Sequence, residues 1–138
     1  MKIDKQRNLV YRWERTEIAP KDTTKLLFYQ VESIVRWIWE QENLQYPPLV
    51  EGLPKNCRKF CADATRLKVR FADITYTWII LHELAHSMID QPNGLSNQHG
   101  SLFVEKYCQL LSRYLLLDYD SLVKSAREFE LRVVDKTN

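Results

Sequence analysis

Apolar residues recur along this chain with two different periods, and the changes of period mark its elements. Residues 1 to 20 mix charge with Val10, Tyr11 and Trp13 and end at Pro20, which reads as a short ordered lead-in. From Asp22 or Thr23, either able to cap a helix, Leu26, Leu27, Val31, Ile34, Val35 and Ile38 follow at amphipathic-helix spacing as far as about Gln41. Trp37 and Trp39 lie on the flanks of that helix, and Pro47-Pro48 forbids its continuation. Between 49 and 71 the period shortens. Leu49-Val50 precedes a turn around Gly52 to Pro54, and then Phe60, Ala62, Leu67 and Val69 alternate with charged residues. Two or three strands forming a small sheet with one wet face are expected.

Thr75 to about Ile89 is a second helix, apolar nearly all round through Trp78, Ile79, Ile80, Leu81, Leu84, Ala85, Met88 and Ile89. A helix without a polar stripe belongs in the middle of a domain. Asp90 to Gln98 is polar and carries Pro92 and Gly94, a loop expected to border the cleft. A third helix starts near Ser101 and carries Phe103, Val104, Tyr107, Cys108, Leu110, Leu111, Tyr114 and Leu115. A last one spans Ser121 to Phe129. The chain contains no internal repeat and no low-complexity tract.

At 138 residues the chain has the length of one domain, enough to bury roughly two-thirds of its unfolded surface. Its 45% hydrophobic and 28% charged content is globular. No apolar run is long enough to cross a bilayer, and the opening residues lack the apolar core of a signal peptide. An intracellular, cytoplasmic protein without membrane contact is expected. Three cysteines, Cys57, Cys61 and Cys108, suggest reduced thiols and no disulfide framework. The net charge of +2 does not call for nucleic acid. The stretch holding Lys55, Arg58, Lys59, Arg66, Lys68 and Arg70 against Asp63 alone could contact a polyanion, although such charges more often form a solvated face.

The chemistry gathers on the second helix, which contains His82-Glu83-Leu84-Ala85-His86. Residues four apart on a helix share a face, so both imidazoles can reach one metal ion. Glu83 sits on the adjoining side, where its carboxylate can take a proton from a water on the metal as general base. Two imidazoles and a carboxylate without partners on so apolar a helix would cost several kcal/mol, on the order of the penalty for buried polar groups. The chain has three histidines in all, and the third, His99, follows His86 after twelve intervening residues. A zinc site with three protein ligands and an open fourth position needs one more donor, and His99 can supply it. One Zn2+ per chain is the expected cofactor.

Other zincin patterns fit less well. Ile89 and Pro92 stand where a metzincin requires glycine and histidine, which excludes that class. A thermolysin-like site would use a glutamate about twenty residues after the second histidine, near Glu105, but Val104 replaces the asparagine expected before it. His99 is the better candidate for third ligand. Glu105 stays as the alternative, or as a residue that orients an imidazole from behind.

His82-Glu83-Leu84-Ala85-His86 followed by His99-Gly100-Ser101-Leu102-Phe103 resembles the HExxH…HGxxF pattern of SprT-like zincins, and more closely a family of small phage and bacterial metallohydrolases. Val10-Tyr11-Arg12-Trp13-Glu14 matches a short stretch near the start of those proteins. The resemblance implies a compact α+β domain over residues 1–138, a minimal zincin with a helix before a small sheet, the HExxH helix packed against it, and C-terminal helices. It also implies His82, His86 and His99 as zinc ligands and Glu83 as catalytic acid/base. SprT-like proteins that act on DNA-bound proteins often carry a C-terminal zinc ribbon; no such pattern stands within these 138 residues, and a DNA-linked role is therefore not expected.

Two functions compete on this reading. One is a zinc-dependent metallohydrolase, specifically a metallopeptidase acting on a peptide or protein. The other is a metal-stabilised, non-catalytic binding or regulatory module that engages nucleic acid through the basic face.

Overall fold

The structure, a computed structural model, describes residue 4 and residues 6–55, 62–90 and 98–134. Its described elements are α-helices and two small sheets, an α+β architecture as expected. The chain divides into two units, Thr24–Ser96 and the pair of segments Met1–Thr23 and Asn97–Asn138.

In the first of these units, β1 (Lys25–Leu27) leads into α2 (Phe28–Gln41), followed by β2 (Leu49–Gly52), β3 (Ala62–Ala64), β4 (Lys68–Phe71), β5 (Ile74–Tyr76) and α3 (Thr77–Ile89). The sequence reading started α2 at Asp22 or Thr23. The structure gives the intervening residues to β1, which pairs antiparallel with β5, Lys25 opposite Tyr76 and Leu27 opposite Ile74. Three residues within a helical apolar pattern are thereby captured by strand partners 47 to 51 positions away, and the start of the second helix moves from Thr75 to Thr77 for the same reason. Where α2 does begin, the Leu27 N–H donates to Gln30 Oε1 at 2.8 Å, satisfying a donor the helix cannot.

The three-stranded sheet runs β2-β4-β3, with β2 parallel and β3 antiparallel to β4. In the β3–β4 turn, Thr65 Oγ1 accepts from the Leu67 and Lys68 N–H groups. Along β4, Val69 and Phe71 are buried while Lys68 is exposed and Arg70 half-buried, which is the one wet face the alternation implies. Helix α3 packs on β3, β4, β5 and α2, and every residue from Ile79 to Ser87 is buried. Trp39 is core, its indole N–H donating to the Gln45 carbonyl at 2.9 Å, whereas Trp37 is half exposed.

The second unit holds α1 (Arg7–Trp13), α4 (Ser101–Tyr114) and α5 (Tyr119–Glu128). The short ordered lead-in expected over residues 1 to 20 is helical: α1 continues through a π-helical turn (Glu14–Ile18) and a 3-10 turn (Ala19–Lys21). Val10, Trp13 and Ile18 are buried at helical spacing, but Glu14 occupies the same stripe and masks it in the sequence. Pro20 lacks an N–H and crowds the carbonyl four residues earlier, so the last turns depart from α geometry.

Both α1 and α4 pack on α5. The Trp13 indole N–H donates to Ser125 Oγ at 2.9 Å, and the Trp13 ring meets Tyr107 edge-on at 5.9 Å. Tyr107 donates its hydroxyl to Glu14 Oε2 at 2.7 Å, so a charge-assisted bond holds the buried carboxylate. Ser101 is the first residue of α4 and Gly100 its cap. The last helix starts two residues before Ser121, because Asp118 caps it by accepting from the Ser121 N–H at 2.9 Å and the Ser121 hydroxyl at 2.7 Å. Burial, reinforced by Glu105, raises the Cys108 thiol to about 12, so it stays protonated and unreactive.

Among the described residues no helix is long and apolar enough to cross a membrane.

Candidate metal centre

His82 and His86 stand one turn apart on α3, 5% and 8% exposed, with ring centroids 5.1 Å apart and planes inclined at 59°. Their neighbours Leu81, Leu84 and Ala85 are fully buried. Glu83, 7% exposed, follows His82 by one residue and so lies about 100° further round the helix. The far end of α3 is secured beside the second histidine. The Asp90 N–H donates to the His86 carbonyl at 2.8 Å, and Ser87 Oγ donates to the Arg66 carbonyl at 3.0 Å.

His99 is positioned quite differently. It follows Gln98, whose φ of 53° is in the left-handed region, and precedes Gly100 at the start of α4. Its Nδ1 lies 2.6 Å from Asp4 Oδ2. Its carbonyl accepts from Gln6 Nε2 at 2.8 Å. Gln6, itself buried, also accepts from the Arg132 N–H through Oε1 at 2.5 Å. The imidazole has Tyr11 edge-on at 5.4 Å and Phe103 edge-on at 5.0 Å. The Val10 to Glu14 stretch thus acts on this side of the site, with Tyr11 against the ring and Glu14 bonded to Tyr107. Sequence reasoning missed Asp4 and Gln6. An aspartate and a glutamine in a charged opening segment carry no periodic or motif signal.

Three buried histidines, His82, His86 and His99, lie close enough to hold one metal ion, their ligand atoms all within 4.8 Å of one another. Three imidazoles suit zinc, and several other divalent metals as well. Glu105 is half-buried on α4 and is not in this group.

The basic residues are largely engaged within the chain. The Arg66 guanidinium lies over the Trp39 ring at 4.8 Å and donates to the Gln45 carbonyl at 3.3 Å. Lys68 pairs with Glu51 at 3.5 Å, and Arg70 forms a two-point bond with Asp63, one arm being Nε to Oδ1 at 2.8 Å. Arg58, Lys59, Cys57 and Cys61, together with most of the loop after Asp90, lie outside the described residues.

No family model, no curated protein and no solved structure matches this chain.

Proposed function

We propose that His82, His86 and His99 bind one zinc ion and that the chain is a zinc-dependent hydrolase, in the first instance a peptidase of SprT-like type. The observation that carries this reading is the proximity of three buried histidines, two of them in an HExxH helix. Among the described residues the donor group numbers three, which suits a site with an open position better than a closed structural one. When bound, the ion would supply a Lewis acid for the scissile carbonyl and acidify a water.

The protein's part rests on α3. His82 and His86 present their rings from adjacent turns, and Glu83 stands beside them to accept the proton of the attacking water and deliver it to the leaving amine. The burial of Glu83 amid fully buried neighbours excludes bulk water and strengthens its electrostatic coupling to the site. A purely structural metal would have no use for a carboxylate there.

Zinc content by elemental mass spectrometry, on protein purified without chelator or metal-affinity tag, is the first test, with about one ion per chain expected. Glu83→Gln should keep the zinc and lose peptide hydrolysis by roughly a hundredfold or more, the scale of general-base contributions. Normal turnover by that variant would sink the mechanism, and a metal-stabilised binding module would then be the better account. That second reading draws little from the basic stretch, since Arg66, Lys68 and Arg70 already face Trp39, Glu51 and Asp63.

A further inference from the structure

We propose that Asp4 is a positioning residue for the metal centre, holding His99 in the tautomer and orientation that ligation requires; this rests on the reading of His99 as third ligand. The carboxylate meets Nδ1 at 2.6 Å and joins residues 95 positions apart. A carboxylate acceptor keeps the proton on Nδ1 and the lone pair on Nε2, which becomes the nitrogen offered to the ion. The same contact raises the electron density of the ring and so its strength as a donor.

The backbone at His99 is held separately. Gln6 uses its whole amide, donating to the His99 carbonyl at 2.8 Å and to the Arg132 carbonyl at 3.4 Å while accepting from the Arg132 N–H at 2.5 Å. Tyr11 and Phe103 meet the ring edge-on and limit its rotation. Asp4 therefore sets the chemistry of the ring, whereas Gln6 sets where the ring begins. Histidines on a helix inherit their placement from the helix; His99, at a turn, depends on these contacts for its own.

The test uses the full chain in metal-free form, titrated with zinc against a chromophoric chelator. Asp4→Ala should raise the zinc dissociation constant about 10- to 100-fold, the range for loss of a carboxylate behind a metal-binding histidine. Asp4→Asn keeps an acceptor oxygen and should lose less. A second readout needs neither metal nor activity. Long-range proton–nitrogen NMR of histidine-labelled protein reports which ring nitrogen carries the proton. His99, assigned by comparison with His99→Gln, should carry its proton on Nδ1 in the wild type and shift toward Nε2 in Asp4→Ala.

Zinc affinity of Asp4→Ala within twofold of wild type would overturn the proposal, as would an Nε2-protonated His99 in the wild-type protein. A wild type that binds no zinc, yet shows an Nδ1 proton that depends on Asp4, would remove the metal reading while sustaining Asp4's hold on the ring.

Discussion

His82 and His86 stand four residues apart on one helix, whereas His99 follows a left-handed residue and is gripped by side chains 93 and 95 positions earlier in the chain. The first pair needs only that α3 form, because helical geometry then puts both rings on one face. His99 needs α1's leading segment, the start of α4 and the strand of chain at Arg132 to be in place together. A motif on a regular element is robust to changes elsewhere. A ligand at a turn depends on distant residues that share no pattern with it.

The largest effect should come from the ligands themselves. His86→Ala and His99→Ala should each weaken zinc binding on the order of a hundredfold or more, since the binding free energy of a zinc site is spread over only a few ligands. A His99→Ala variant that titrates like the wild type would break the comparison by showing that the helical pair alone retains the ion.

Next comes the packing that holds α3. Leu84 is fully buried between the two histidines in sequence, and Leu84→Ala should cost about 2–5 kcal/mol in urea unfolding of the metal-free protein. A loss below about 1 kcal/mol would mean that α3 is less tightly enclosed than its burial indicates.

On the His99 side, Tyr107→Phe removes the hydroxyl that donates to the buried Glu14 and should cost about 1–3 kcal/mol by the same measurement. An unchanged stability would show that the other contacts of Glu14 suffice.

The smallest effect lies away from both. Asp118 is exposed, and its carboxyl is held below the usual aspartate value, first by the Ser121 hydroxyl and then by the Ser121 N–H. Its folded pKa being the lower one, its contribution is complete above the unfolded aspartate value and fades as pH falls through the folded one. Asp118→Ala should therefore flatten slightly the acid limb of stability against pH and leave zinc binding alone. A change in zinc affinity would tie α5 to the site more closely than its capping role predicts.

Legibility followed the range of the forces involved. Helices α2, α3 and α4 were visible because their apolar residues repeat every turn, and the sheet because β4 alternates. Helix α1 was not, since its buried stripe includes Glu14, whose partner Tyr107 is 93 positions distant. Strands β1 and β5 were absorbed into helix predictions, as three residues carry too little periodicity to compete with a helix beginning beside them. At the candidate site, His82, Glu83, His86 and His99 were read from spacing and from the scarcity of histidine. Asp4 and Gln6 were invisible, because hydrogen-bond partners impose no spacing on the sequence.

The sequence by itself determined the α+β class, the buried HExxH helix and the residues able to ligate a metal, all consequences of local periodicity and side-chain chemistry. Tertiary structure alone decided that Lys25 to Leu27 form a strand, that Arg66 rests on Trp39, and that the opening segment reaches His99. Each of those outcomes pairs groups far apart in the chain. The free energy that selects them appears only when the backbone brings both partners together and water leaves the space between them.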